Sequence, residues 1–402
     1  VLPEAAEPMQ PAVDLGSRID ARWRAAGYRE DAFVELAHAE LERFIAAGEL
    51  SAADIATWAV VADELPRQAN VPITFGQPPV TLYRTDKFYI EALYWLDGTT
   101  AIHDHAFAGA FAVLEGSSLH TTFAFDQADA VDSHLRVGRL SRAHAELLPS
   151  GAVRAIVPGR SFIHSLFHLD RPSVSLTVRT FTHAASYPQL EYRRPGLALD
   201  SAFFPEGPGR RLAVLDMLAK TDAERYAVAL RQFLQRADLL HCFRALEQAS
   251  INPAVTHCVA SGLALVGERF GDHAATLHGA IADTVRQRNV YGRREHVHDP
   301  QHRFLLALLL NIPDRDELLT MVRARMGGDD AIAQVVTWLR QMAANGPHAL
   351  GIALDTAGLI VIEGLLRGWD EAHMVASGGD RLAVAKWSLT LPRTQLLHGL
   401  LQ

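Results

Sequence analysis

The chain has 402 residues, 49% hydrophobic and 21% charged, the balance of an ordinary globular protein at a length typical of two or three domains. Lys and Arg number 38 against 46 Asp and Glu, a formal charge of -8, which argues against a general affinity for nucleic acid. Only Cys242 and Cys258 are present and no CxxC spacing occurs, which excludes a disulfide framework and a thiolate metal site and fits a reducing cytoplasm.

The opening VLPEAAEPMQPAVDLG has neither the basic region nor the apolar core of a signal peptide. Residues 1–70 read as a helical segment. Phe33, Leu36, Ala37, Leu41 and Phe44 recur at helical spacing and the pattern stops at Gly48. Glu40 falls at the edge of that stripe, where its carboxylate is expected to reach water. Ser51 is a natural N-cap for a further helix. Over 71–195 the texture changes to short β-branched and aromatic runs, punctuated by Gly, Pro and Asp-Gly about every ten residues, the spacing of an all-β sandwich or barrel. Residues 196–212 are Pro/Gly-rich and read as a linker. Helical patterns fill 213–402, with no fixed-period repeat, so an irregular helical bundle is expected there. The fold class is therefore α+β multidomain. The longest apolar run, FLLALLLNI from Phe304, is too short for a bilayer, so no membrane contact and a cytoplasmic location are expected. Three arginine pairs, Arg193 and Arg194, Arg210 and Arg211, and Arg293 and Arg294, sit beside Pro or Gly and read as solvated loop charge.

Within the β-rich region, IHDHAFAGAFAVLEG (102–116) holds His103 and His105 two residues apart. On a strand such residues share a face, so both imidazoles project together, and neutral imidazole is the commonest side-chain metal ligand. Further on, Pro158-Gly159 makes a turn and His164 opens the next apolar strand. Either motif alone is weak, because a lone buried histidine is more often a hydrogen-bonded core residue. Together in one β-rich stretch they point to a metal site. Asp104 points away from the pair and suits a turn-stabilising role.

These motifs resemble the cupin superfamily, with His103, His105 and His164 matching its three histidine ligands. Its glutamate position, read five residues after His105, is Ala110. The nearest branch is therefore the three-histidine group that includes the cysteine dioxygenase-type thiol dioxygenases. Lys87, Phe88, Trp95, Phe111, Leu114 and Gly116 resemble that group's first region, and Pro172 to Leu176 its second; the resemblance covers about 80–183. It implies a cupin β-barrel (a double-stranded β-helix) flanked by the helical segments. It also implies a mononuclear non-haem Fe(II) centre, with Zn, Ni or Mn as alternatives. Such an oxygenase would chelate a small amino-acid-derived or thiol/acid substrate and use O2, because a ferrous ion held by one facial triad keeps positions open.

Around that centre, Arg84 lies where the group places an arginine that anchors a substrate carboxylate, although a strand-edge surface charge is an equal alternative. The group's Ser-x-His-x-Tyr run reads Ser175-Leu176-Thr177-Val178-Arg179 here. Arg179 is in phase with Ser175 and Thr177; facing inward, it would need an anion. His168, four residues beyond His164, falls on the ligand face as a hydrogen-bonding neighbour, an acid/base group, or a substitute ligand if His164 points elsewhere. Tyr94 and His183 are expected to line the cavity, and His120 is read as ordinary. His296, His298 and His302 form a second cluster, but Asp299-Pro300 reads as the start of a helix rather than a metal site. The other reading is a non-catalytic cupin sensor or scaffold. In either, the C-terminal helices would serve a homodimer or a protein partner. No P-loop, GxGxxG, HExxH or GxSxG motif occurs.

Overall fold

The computed structural model describes residues 9–69, 76–181, 188–394 and 396–401. Three helices come first: α1 (Gln10–Ala25), α2 (Glu30–Ala47) and α3 (Ala52–Val61). The stripe on α2 is buried as its spacing predicts, with Phe33, Ala37, Leu41 and Phe44 in one apolar cluster. The helix stops at Gly48, whose φ of 63° is left-handed. Ser51 and Asp54 form a reciprocal capping box on α3.

Glu40 departs from expectation: it is 1% exposed. Its carboxylate accepts hydrogen bonds from Arg18, Arg22 and Arg43, because α1 crosses α2 and lays the first two arginines over it. Burial pushes this carboxyl up, but the bonds from Arg22 and Arg18 and the charge of Arg43 outweigh that and hold it below its ordinary range.

Among the described residues eleven strands follow: β1 (Pro79–Arg84), β2 (Phe88–Trp95), β3 (Ile102–His103), β4 (Gly109–Glu115), β5 (Ser117–Ala130), β6 (Leu135–Pro149), β7 (Val153–Ile156), β8 (Ile163–His168), β9 (Ser173–Thr180), β10 (Glu191–Arg193) and β11 (Leu197–Leu199). One sheet runs β1-β2-β9-β4-β7; the other closes on itself in the order β10-β11-β6-β5-β8-β3. Alternation sorts the side chains of the first sheet. Ile90, Ala92, Ala110, Ala112, Leu176 and Val178 face α1–α3, while Glu91, Leu93, Trp95, Phe111, Ser175, Thr177 and Arg179 face the interior. Alanines on the outer face of β4 leave room for α2 to approach.

The segment read as a linker is partly structured. Leu197–Leu199 forms β11 and pairs with Leu135–Val137 of β6, and the chain enters the next helix at Glu206. The helices are α4 (Glu206–Thr221), α5 (Ala223–Leu234), α6 (Leu239–Ser250), α7 (Cys258–Phe270), α8 (Asp272–Tyr291), α9 (Pro300–Asn311), α10 (Arg315–Met326), α11 (Ala331–Ala344), α12 (Pro347–Leu350), α13 (Thr356–Arg367), α14 (Glu371–Ala376), α15 (Arg381–Thr390) and α16 (His398–Leu401). No single helix among the described residues is long and apolar enough to cross a membrane.

The chain divides into two compact units, 1–168 with 172–285 and 169–171 with 286–402. In the first, Leu135, Leu197 and Leu199 share a core with Leu240, Phe243 and Leu246 of α6. In the second, α9 is buried from Arg303 to Asn311, and Asp299, Asp314, Asp330, Asp355, Asp370 and Asp380 each cap a helix through the side chain.

The arginine pairs are less solvated than expected. Arg193 and Arg194 are largely covered and pair with Glu191, Glu247 and Asp283. Arg294 is buried and Arg293 half-buried, whereas Arg210 and Arg211 are exposed, on α4.

Candidate metal centre

β3 is only two residues long. Ile102 enters an apolar cluster with Phe123, Phe125 and Ile163, and His103 turns to the other side, directly across from His164 of β8. His105 lies just past the end of β3, and its carbonyl accepts from the amide of Gly159 (2.8 Å), so the Pro158-Gly159 turn fixes it. The three imidazoles converge. Their ring centroids are 4.7, 4.8 and 4.9 Å apart, and one nitrogen from each lies within 4.8 Å of the others. All three residues are buried, and burial, reinforced by their mutual repulsion, holds His105 and His164 well below the ordinary histidine range; burial also lowers His103. They are neutral, the form that binds metal.

This is a cupin-like β-barrel whose histidine cluster can hold a divalent metal.

The hydrogen bonds around the trio present unprotonated nitrogens to it. His103 Nδ1 donates to the Ala101 carbonyl (2.8 Å), leaving Nε2 as the lone-pair atom. Around His164 the tautomers follow from one fixed acceptor. Glu146 is ionised, its carboxyl pushed down to about 2 by hydrogen bonds from His120 and Arg154. His120 Nδ1 (2.9 Å away) must donate to it. With His120 in its neutral form, its other nitrogen, Nε2, accepts from His164 Nδ1 at 3.0 Å, which frees His164 Nε2. At His105, Nδ1 is buried with no hydrogen-bond partner. Two nitrogens freed by their own hydrogen bonds and one orphaned nitrogen are a donor set suited to a cation.

The position matching the family's glutamate cannot contribute. Ala110 faces the helices, and at its neighbour Gly109 a Cβ would sit on the Val178 carbonyl oxygen.

The trio opens onto a cavity of about 250 Å³. Ser175, Thr177 and Arg179 line it from β9, as their alternation predicts, with Trp95, Phe107 and Phe111 among the apolar walls. Arg179 is half-buried at the wall of this space. Its guanidinium lies 3.3 Å from the centroid of Phe107, its Nε is buried without a hydrogen-bond partner, and burial lowers its pKa against the opposing influence of Tyr89 and Glu91. Glu91, 1% exposed, stands beside it on β2, in register with Thr177.

Other expected residues lie elsewhere. Arg84 is at the end of edge strand β1, donates to the carbonyl of Gln68 (3.3 Å) and covers the Phe181 ring, so the arginine at the cavity wall is Arg179. His168 shares the face of His164 but is fully buried behind Trp95, stacked on it at 4.6 Å and bonded to Ser118 Oγ at 2.9 Å. Tyr94 faces outward and donates to the Ala52 carbonyl (2.6 Å). Asp104 accepts from the Leu190 amide and the Tyr192 hydroxyl, both at 2.8 Å, tying β10 to β3. His183 lies outside the described residues. His298 and His302 bond to Arg171 and Gln341, and Asp299 caps α9. Two contributors escaped the sequence reading. Glu91 was findable as the one acid alternating with Leu93 and Trp95; His120 carries no such signal, because its role depends on β5 pairing with β6 and β8.

No protein-family model matches the chain, and no curated protein does. Solved structures share partial likeness. The DMSP lyases RdDddP and RnDddQII are 16% identical over 30% of this chain and 57% of theirs, with a TM-score of 0.20, so the chain spans little more than half their length. Oxalate oxidase is 15% identical over 44% of this chain and 82% of its own (TM-score 0.23), and its recombinant form with glycolate is 15% identical over 42% and 78% (TM-score 0.22). The cupin-like character rests on the strand pairing and histidine trio of this chain itself.

Proposed function

We propose that the barrel is a mononuclear non-haem iron oxygenase, in which His103, His105 and His164 hold Fe(II) and a small acid is oxidised with O2. The observation that carries this reading is the presence of three neutral imidazoles and one acceptor-poor arginine on the walls of one cavity of about 250 Å³. Bound there without a carboxylate ligand, the ion keeps its full charge and supplies adjacent open positions for an anionic chelating substrate and dioxygen. The substrate class is a hydroxy- or keto-acid or an aminothiol acid.

Each residue then has a task. Arg179 binds the substrate carboxylate through its fork, replacing the acceptor that its buried Nε lacks. The hydroxyls of Ser175 and Thr177 orient polar groups beside it. Glu91 takes or returns a proton at its carboxylate oxygen. Trp95, Phe107 and Phe111 exclude water and strengthen these contacts.

The test is oxygen uptake by protein loaded with Fe(II) in an anaerobic chamber and offered 2-hydroxy acids, 2-keto acids and aminothiol acids. The expected outcome is uptake that depends on one substrate class, with Arg179→Met raising KM roughly 10–100-fold and changing kcat less. No uptake with any class, or loading that succeeds only with zinc, nickel or manganese, would contradict the reading.

A further inference from the structure

The unit formed by 169–171 and 286–402 contains a pocket of about 430 Å³ that is separate from the metal centre. Arg288 and Asn289 reach it from the end of α8, Arg293 and His296 from the 3-10 turn Gly292–His296, and His348 from α12. Every ionisable residue lining it is an arginine or a histidine. The His296 and His348 rings lie 5.2 Å apart.

Arg293 is the unusual member. Its Nη1 donates to the His348 carbonyl at 3.2 Å, its Nε is buried without a partner, and its guanidinium packs against Gly351 so closely that a Cβ there would overlap it. Gly351 also has a φ of 71°, so the position favours glycine twice over. Burial lowers the pKa of Arg293 and no acidic group opposes that shift. Two other partly covered arginines have carboxylates: Arg154 has Glu146, and Arg367 has Glu363 and Asp330. A half-buried guanidinium without an anion is costly, and this one is held in place at a pocket wall with donors to spare.

We propose that this pocket binds a phosphate dianion, free or carried on a small organic ester. Arg293 and Arg288 contact the oxygens, with the His296 and His348 rings beside them. Two guanidinium forks and two imidazoles match the charge and several acceptor oxygens of phosphate better than those of one carboxylate. The pocket has room for an ester group beyond the phosphate.

Calorimetric titration of the full chain at constant ionic strength tests this, with inorganic phosphate and glycerol 3-phosphate as probes and acetate as the control anion. The expected result is saturable one-to-one binding of phosphate, retained in Arg179→Met, which removes the arginine of the barrel cavity. Arg293→Met and Arg288→Met should each weaken it at least ~10-fold. Tighter binding of glycerol 3-phosphate assigns the pocket to an ester; equal binding assigns it to the phosphate alone. Should Arg293→Met lose its helical circular dichroism, the exposed Arg288 decides. Absence of saturable binding for both probes, equal binding of acetate, or unchanged binding in the folded variants overturns the proposal.

Discussion

The protonation of His164 is fixed two side chains away. Glu146 can only accept, so His120 donates to it, and a neutral His120 in turn accepts from His164, which leaves the Nε2 lone pair of His164 for a metal. His120→Phe would strand the His164 Nδ1 proton, so metal affinity should fall about 10–100-fold in chelator competition while the fold persists; unchanged affinity would show that His120 does not orient the ligand. Glu146 also carries a pH signature. Its folded pKa of about 2 lies below the ordinary 4.5, so its contribution to stability is complete above about 4.5 and is lost as pH falls towards 2. Urea midpoints measured from pH 6 to 3 should fall more steeply in the wild type than in Glu146→Gln; parallel curves would contradict this. The three ligands were legible because each stands in a local motif. His120 and Glu146 were not, since they meet only through the β5–β6 register, His120 opposite Glu146. Arg84 and Arg179 show the same limit: the resemblance gave a place for a carboxylate anchor, but only strand position decides which arginine meets the cavity.

Among the elements, β4 has to serve two neighbours. Its alanines meet α2, while Gly109 lies against the backbone of β9 at Val178. Gly109→Ala should therefore destabilise the barrel by about 1–3 kcal/mol in urea unfolding, because the added methyl meets backbone rather than a side chain that can swing away; a change within about 0.5 kcal/mol would mean that the two strands separate easily. Helices α2 and α3 were legible from apolar spacing and the Ser51 cap, and the strands from alternation and turn residues. Glu40 was misread, since periodicity places a residue at the edge of a stripe without revealing that α1 covers it. Residues 196–212 looked like a linker by composition, yet Leu197–Leu199 completes the closed sheet by pairing with β6, a long-range partnership that composition does not encode.

At the scale of the whole molecule, a barrel between helical regions was legible because the hydrophobic period switches from 3.6 to 2 and back. The division near 285 was not: it falls within α8, whose helical pattern continues across it. The basic pocket was hidden for a related reason, because Arg293 and Arg294 beside a glycine look like loop charge until burial separates them from Arg210 and Arg211. The proposed metal centre depends on three distant imidazoles sharing one ion. Its most direct test is metal content of the full chain, purified without oxygen, titrated with Fe(II), freed of unbound metal and analysed by mass spectrometry. One ion per chain is predicted, falling to background in His103→Ala, His105→Ala and His164→Ala while the helical circular dichroism is retained. Uptake that is undiminished in any of the three variants would contradict it.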